Sequence, residues 1–204
     1  MSTTQTKRPR GRPSAFDYED ALEKALKIFW LRGYEGASMA ELTKAMGINR
    51  PSIYAAYGNK EELFSKVLRR YMAGPVAYVA EAMHEPTAKQ VAEKFLTKSA
   101  EFLSNQYNPR GCMIAIGTLF SGEGCEQVQQ ELTAYRQGYE KALRERFDLA
   151  KSKNDLPQSV NTTTLAKYIA TVHQGMSVQA ISGASREELL AVVEQALSNW
   201  PVNN

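Results

Sequence analysis

The two cysteines of this 204-residue chain, Cys112 and Cys125, carry the side chains best suited to covalent chemistry. Cys112 follows Arg110 and Gly111 at the predicted start of a helix. There the helix dipole and the arginine charge would both lower the thiol pKa and favour the thiolate. The alternative is a small buried thiol at a tight packing point. Cys125 lies in an acidic loop that should raise its pKa, and the spacing neither requires nor excludes a disulfide between the two.

No catalytic or cofactor-binding motif accompanies these thiols. The sequence contains no GxGxxG, P-loop or HExxH pattern, and its cysteines do not have the spacing of a zinc site. His84 and His173 are isolated, and a lone histidine on a helix is more often packed or exposed than catalytic. These residues therefore predict a protein that is not an enzyme and that needs no metal or cofactor.

A cluster of cations lies at the N-terminus, where Lys7, Arg8, Arg10 and Arg12 occur with no acidic residue in the first 16 positions. The run RPRGRP resembles the AT-hook core, in which an extended Arg-Gly-Arg lies in a narrow minor groove. Such grooves have a strongly negative potential, and prolines favour an extended backbone. The alternative is a nonspecific basic tail. Because residues 1–14 lack large apolar side chains, we expect them to be disordered when unbound.

The overall composition is that of a folded protein, with 43% hydrophobic and 23% charged residues. Residues 1–72 contain 13 Lys/Arg against 8 Asp/Glu, whereas residues 73–204 contain 12 against 14. This asymmetry indicates a polyanionic partner for the N-terminal part. No apolar run approaches the ~20 residues of a membrane helix. The polar N-terminus does not resemble a secretory signal, so we expect no membrane association and a cytoplasmic location.

Local helix signals predict how the N-terminal residues are positioned. Ser38 and Glu41 match a capping box, and Gly47 permits a tight turn. Asn49 can cap the next helix, which has Pro51 in its first turn and extends to about Tyr57. Two short helices joined in this way form a helix-turn-helix, and its second helix, 49–57, is placed to enter a major groove.

The rest of the chain also has helical periodicity, and no long stretch alternates as a strand would. A first helix begins at Asp17 and ends near Gly33 and Gly36. Asn59 with Glu62 opens a fourth helix, and later helices are predicted at about 87–105, 111–121, 126–153, 162–182 and 186–199, the last one after a capping box of Ser185 and Glu188. We expect an all-α protein of about nine helices. Its predicted parts are a basic arm (1–14), a helix-turn-helix DNA-binding domain (15–72) and a helical C-terminal part (73–204), which the family resemblance described next implies to be an effector-binding and dimerisation domain.

The segment from about 17 to 68 resembles the TetR family of bacterial transcriptional regulators. The resemblance depends on Ser38, Ala40-Glu41-Leu42, Ala45-Met46-Gly47-Ile48, Ile53-Tyr54, Tyr57, Lys60-Glu61 and Leu63-Phe64. It implies an N-terminal three-helix DNA-binding domain and a C-terminal helical domain that binds a ligand and dimerises. It also implies a homodimeric regulator, expected to be a repressor, that binds a palindromic operator and responds to a small molecule or to oxidation.

The same resemblance implies roles for individual side chains. Arg50 and Pro51 begin the recognition helix and would face base edges, where arginine suits guanine and proline could meet a thymine methyl. Ser52, Tyr54 and Lys60 occupy positions that usually contact phosphates. Each also has a structural alternative, respectively a first-turn polar residue, a packing aromatic and a solvated charge, and Arg50 could be a plain surface arginine. The complete DNA-binding set is Arg8, Arg10, Arg12, Ser38, Arg50, Pro51, Ser52, Tyr54 and Lys60.

Family members often have histidine at the position of Ala56. Its absence removes one phosphate contact, so we expect Arg50 and the arm to contribute more of the affinity than is usual. In the C-terminal part, Phe120, Tyr139 and His173 are candidates for an effector cavity, and plain core packing is the alternative. Cys112 joins them because Gly-Cys at this helix start resembles a TetR subgroup whose cysteine senses oxidants or electrophiles.

The predicted helices 162–182 and 186–199 have wide apolar faces that need a partner surface. A symmetric four-helix bundle between two copies would bury them, and burial within one subunit is the alternative. Two other functions also fit the sequence. One is an enzyme or ligand-storing protein with a vestigial helix-turn-helix, and the other is an architectural binder of AT-rich DNA that depends mainly on the arm.

Overall fold

A computed structural model describes residues 17–117 and 125–202. Arg8, Arg10 and Arg12 of the predicted arm lie outside the described residues, as does Phe120 of the predicted effector set.

The described residues form ten helical segments and no strand, which confirms the all-α prediction. They are α1 (Tyr18–Gly36), α2 (Met39–Met46), α3 (Arg50–Tyr57), α4 (Lys60–Ala73), α5 (Tyr78–Ala82), α6 (Ala88–Leu103), α7 (Met113–Gly117), α8 (Glu126–Ser152), α9 (Thr162–Ile181) and α10 (Arg186–Leu197). The predicted count of about nine lacked α5, a single turn whose five residues are too few to show a helical period. The other helices lie within a few residues of their predicted positions.

Polar side chains begin most of the helices as the sequence predicts. Asp17 Oδ1 accepts hydrogen bonds from the amides of Glu19 (2.9 Å) and Asp20 (3.1 Å). Reciprocal capping boxes open α4 and α10. The box predicted for α2 forms only in half. Ser38 Oγ accepts from the Glu41 amide at 3.1 Å, but the Glu41 carboxylate pairs with Arg32 of α1 at 3.4 Å. A charged partner from a neighbouring helix thus replaces the local contact.

The N-terminal unit packs around aromatic side chains, because α1 lies against both α2 and α4. The rings of Phe29 and Phe64 meet edge to face with centroids 5.0 Å apart, and Tyr34 contacts Phe64 at 5.2 Å. Phe29 and Phe64 are almost fully buried. This packing fixes the orientation of α4, which in turn holds the end of α3.

A second aromatic group joins the N-terminal helices to the rest of the molecule. The Trp30 ring of α1 stacks on Phe102 of α6 at 5.2 Å and meets Tyr71 of α4 edge to face at 5.0 Å. The Trp30 indole also donates a 2.9 Å hydrogen bond to the Gly111 carbonyl. The hydrophobic core is therefore continuous between the two predicted domains.

The C-terminal helices pack α6 and α8 against α9, and α10 covers α6 and α9. The Asp155 carboxylate, from the loop after α8, accepts a 2.6 Å hydrogen bond from the Ala88 amide at the start of α6. Within residues 17–117 and 125–202, no helix combines the length and apolarity needed to cross a bilayer. The same residues contain no cluster of three His, Cys, Asp or Glu side chains suited to a metal ion.

Candidate nucleic-acid interface

Helix α3 presents two chemically different faces. Ile53 and Tyr57 point into the core and are 0% and 5% exposed. Arg50, Pro51 and Ser52 in the first turn are exposed, and Tyr54 is 50% exposed. The structure therefore brings four predicted DNA-binding residues together on the solvent side of one short helix. The exposure of Tyr54 argues against a purely packing role for its ring.

Local capping fixes the beginning of α3. Gly47 adopts a left-handed conformation (φ 73°) that ends α2, and its amide donates to the Thr43 carbonyl. Asn49 Oδ1 then accepts a 2.9 Å hydrogen bond from the Ser52 amide. Because Pro51 lacks an amide hydrogen, its place in the first turn leaves no donor unsatisfied. These contacts hold Arg50 at the first position of the helix.

Two tertiary contacts fix the end of α3. The Tyr57 hydroxyl donates a 2.6 Å hydrogen bond to the Tyr18 carbonyl of α1. The Lys66 ammonium of α4 donates a 2.8 Å hydrogen bond to the Tyr57 carbonyl and lies 5.8 Å from the centroid of its ring. The role of Lys66 was not predictable from the sequence, because it follows Tyr57 by nine residues and no local motif links them.

A charged contact holds α4 against α1. Arg70 donates from Nε to Glu23 at 2.8 Å and from Nη1 to Glu19 at 2.6 Å. The two carboxylates belong to adjacent turns of α1, so one guanidinium spans both. The role of Arg70 was not predictable either, since its pairing with Glu19 and Glu23 depends on how α1 and α4 cross.

Lys60 and Ser38 lie beside α3 but already have partners in this structure. The Lys60 ammonium lies 4.4 Å from the centroid of the Tyr34 ring, a cation–π contact. Burial lowers the pKa of Lys60, whereas the nearby Cys125 and Glu35 act in the opposite direction. Lys60 is therefore not a plain solvated charge. Ser38 is exposed, and its oxygen caps α2.

The prediction that Cys112 favours the thiolate is wrong. The side chain is 5% exposed, and burial raises its pKa despite hydrogen bonds from Tyr71 and from the Ala115 and Ile114 backbone. The Arg110 guanidinium donates instead to the carbonyls of Ala180 and Ala184 at the end of α9. Cys112 thus matches the alternative of a small buried thiol.

Cys125 behaves as predicted, although the main cause differs. Burial and a hydrogen bond to Glu35 raise its pKa, and the neighbouring Glu126 contributes less. The thiol donates to Glu35 Oε1 at 3.5 Å, which links the start of α8 to the end of α1. Both cysteines are free thiols.

Two of the predicted effector residues meet inside the C-terminal part. The Tyr139 and His173 rings lie edge to face at 5.7 Å, and Phe95 lies 5.2 Å from His173. Tyr139 accepts a 3.0 Å hydrogen bond from Gln174, and burial raises its pKa to about 12. His173 is 4% exposed, its Nδ1 has no hydrogen-bond partner among residues 17–117 and 125–202, and burial lowers its pKa to about 4. Both side chains are therefore neutral at neutral pH.

Helices α9 and α10 bury only part of their apolar surface within the subunit. Ile169, Met176 and Leu189 are buried. A second set of apolar side chains remains 42–50% exposed, namely Tyr168, Val178, Ile181 and Val192. A groove of about 390 Å³ runs between the two helices. Within the described residues of one chain, nothing covers this surface.

Known proteins share both the sequence and the architecture. The family model described as bacterial regulatory proteins, tetR family, matches residues 21–67. The HTH-type transcriptional repressor ComR of Escherichia coli (strain K12) is 31% identical over 98% of this chain and 96% of its own length. The repressor BdcR of the same strain is also 31% identical, over 96% of this chain and 95% of its own.

A solved structure extends the similarity to the whole fold. A cysteine mutant of the TetR family regulator CifR, complexed with 26-base-pair operator DNA, is 40% identical to this chain. The alignment covers 93% of this chain and 100% of that chain, with a TM-score of 0.88. The similarity to CifR agrees with the exposed face of α3 and with the full-length similarity to ComR. The chain belongs to the TetR family of DNA-binding transcriptional regulators.

Proposed function

We propose that this protein binds a palindromic operator as a homodimer, represses transcription there, and releases the DNA when its C-terminal domain senses a signal. The observation that carries the proposal is the exposed first turn of α3, where Arg50, Pro51 and Ser52 face solvent on a helix whose other face is buried. A rigid helix with an exposed N-terminal turn is what major-groove docking requires.

The division of labour within the chain follows the predicted boundaries. Residues 15–72 form the DNA-binding domain, residues 73–204 form the effector and dimerisation domain, and residues 1–14 form a cationic arm for the minor groove. Arg50 reads a base, while Ser38, Ser52, Tyr54 and Lys60 contact the backbone. Lys60 reaches a phosphate only by leaving the Tyr34 ring, so its contribution depends on how firmly that ring holds it.

The exposed apolar side chains of α9 and α10 support the homodimer. A two-fold axis through these helices would pair each surface with its own copy and bury Val178 and Val192. The two copies of α3 would then enter successive major grooves about 34–36 Å apart, and the operator would be an inverted repeat.

The relatives support repression as the direction of control, since ComR and BdcR are both named transcriptional repressors. CifR supports operator DNA as the ligand, because its mutant is complexed with operator duplex. The aromatic group around Tyr139 and His173 supports an effector-sensing interior. The proposal includes no enzymatic step and places the protein with its DNA in the cytoplasm.

The proposal is tested by selecting preferred duplexes from random DNA and measuring binding by fluorescence anisotropy at several salt concentrations. We expect an inverted repeat and an affinity that falls steeply with salt, because phosphate contacts release counterions. A protein lacking residues 1–14 should bind more weakly but keep its sequence preference. Complete loss of that preference would favour the architectural AT-rich binder, and the absence of any DNA binding would favour a ligand-storing protein.

A further inference from the structure

A cavity of about 660 Å³ lies between the DNA-binding helices and the C-terminal helices. One wall is the second half of α1, from Phe29 to Gly36, together with Phe64 of α4. The opposite wall includes Met113 and Ile116 of α7 and Ile181 at the end of α9. This junction cavity is separate from the aromatic group around Tyr139 and His173, neither of which contributes to its described walls.

The size and lining of the junction cavity suit a small organic molecule. Ligand sites usually occupy about 300–1,000 Å³ and combine apolar walls with a few polar groups. Here Trp30 and Tyr34 supply aromatic surface, and the half-exposed Ile181 supplies aliphatic surface. The one polar atom of the Trp30 indole already donates to Gly111, so that part of the wall offers no unpaired donor.

Charged side chains on the described walls indicate the kind of polar group that a ligand would carry. Arg32 and Arg110 contribute two guanidinium groups and Glu35 one carboxylate, but Arg32 is already paired with Glu41, so Arg110 is the cation that an anionic head would meet. The carbonyls of α9 hold the Arg110 guanidinium, but these contacts engage only Nη1. A guanidinium has five N–H donors and matches the geometry of a carboxylate, so Arg110 retains donors for an anion.

Tyr34 connects the cavity to the predicted DNA-binding surface. Tyr34 lines the cavity, and the Lys60 ammonium lies over its ring at 4.4 Å. Gly33 interrupts the helical geometry of α1 with φ 69° and ψ 177°. The last turn of α1, which carries Tyr34, is therefore joined to the rest of the helix through a residue with non-helical geometry.

We propose that the junction cavity binds a small amphipathic anion, with an aromatic or aliphatic body and a carboxylate or sulfonate head. The body packs against Ile181 and the edge of Trp30, and the head pairs with Arg110. Occupancy displaces Tyr34 and with it Lys60, so operator affinity falls. This regulatory part rests on the proposed function, whereas the binding part does not.

Binding is measured first without DNA, using the fluorescence of anilinonaphthalene sulfonate, an aromatic anion that brightens in apolar surroundings. Octanoate, octanol and octylamine then compete for the site, because they share a chain and differ in the head group. We expect octanoate to displace the probe best and octylamine worst. If all three compounds compete equally, the proposal that the ligand has an anionic head group is wrong.

Two pairs of variants locate the site. Ile116→Trp fills the cavity and should abolish probe binding, while Leu149→Trp places the same ring at an exposed position of α8 and should not. Arg110→Gln should weaken octanoate but not octanol, and Arg144→Gln is its matched control. Should Ile116→Trp fail to fold by circular dichroism, Ile181→Trp at the half-exposed rim replaces it. Undiminished probe binding in a folded filling variant would overturn the proposal.

Coupling is measured by repeating the operator titration with saturating octanoate. We expect operator affinity to fall by about tenfold, and operator DNA must weaken octanoate binding by the same factor. Unchanged operator affinity with octanoate bound would overturn the regulatory part. Failure of the proposed function looks different, since no duplex would then bind even without octanoate, while the DNA-free measurements would still decide whether the cavity holds an anion.

Discussion

The Lys66 ammonium donates a 2.8 Å hydrogen bond to the main-chain carbonyl of Tyr57, the last residue of the recognition helix α3. The final carbonyls of a helix lack intrahelical partners, and a cation there also complements the helix dipole. Lys66 lies on α4, so the contact ties the end of α3 to a helix that packs on the core. The orientation of α3 thus depends partly on a side chain of another helix.

Lys66→Met should lower the free energy of unfolding by about 1 kcal/mol, because it removes one charge-assisted hydrogen bond at a helix terminus. Operator affinity should fall several-fold, since α3 is then held less firmly. Urea unfolding and anisotropy titrations measure the two effects. Lys27→Met, at an exposed position of α1, is the control, and equal effects from both variants would argue against a positioning role.

Arg50→Ala should cost about 1–3 kcal/mol in operator binding and relax the preference at one base pair of each half-site. The reason is that, in the proposed function, the Arg50 guanidinium at the start of α3 would bond a base edge of the operator, whereas random duplex would offer it mainly phosphates. Titrations against operator and scrambled DNA distinguish base contacts from phosphate contacts. A loss of the same size on both duplexes would exclude base reading, and Arg144→Ala controls for net charge.

His173 should make the stability of the fold depend on pH. Its folded pKa of about 4 lies below its ordinary value of 6.5, so the unfolded chain binds the additional proton. Stability should therefore be complete above pH 6.5 and should decline as the pH falls towards 4, by about 3 kcal/mol in total. Urea unfolding of wild type and His173→Gln across this range gives the difference curve. Parallel curves would show that His173 does not titrate on unfolding.

Cys112 should react slowly with a thiol reagent in the folded protein, because burial both blocks access and raises its pKa. In a Cys125→Ser background, the disulfide reagent dithionitrobenzoate reports on this thiol alone. We expect the rate to rise sharply when urea unfolds the chain. A folded-state rate equal to the unfolded one would restore the view of Cys112 as an exposed, activated thiol.

Val178→Glu and Val192→Glu should convert the predicted dimer into monomers. Each would place a carboxylate in the apolar surface between two copies, where its desolvation is unfavourable without a partner. Sedimentation velocity measures the change in mass. Leu149→Glu, also at an exposed apolar position, should leave the mass unchanged, and a monomeric wild type at micromolar concentration would contradict the dimer itself.

The local features of the DNA-reading unit were predictable because each depends on residues close together in the chain. Asn49 caps α3 three residues before its partner amide at Ser52, and Gly47 supplies the left-handed turn within the same segment. The exposed and buried faces of α3 follow from the helical period alone. At α2 the sequence predicted the Ser38 cap but not the position of the Glu41 side chain, because Arg32 of α1 pairs with that carboxylate.

The helices, most of their caps and the order of polar and apolar faces were thus predictable, since short-range contacts decide these features. Tertiary structure decided the rest. It buried Cys112 and so reversed the direction of its pKa shift, brought Tyr139 and His173 into contact, and placed Lys66 on Tyr57 and Lys60 on Tyr34. Desolvation and cation–π contacts depend on which surfaces meet in space, and helix crossings that no local pattern encodes determine those meetings.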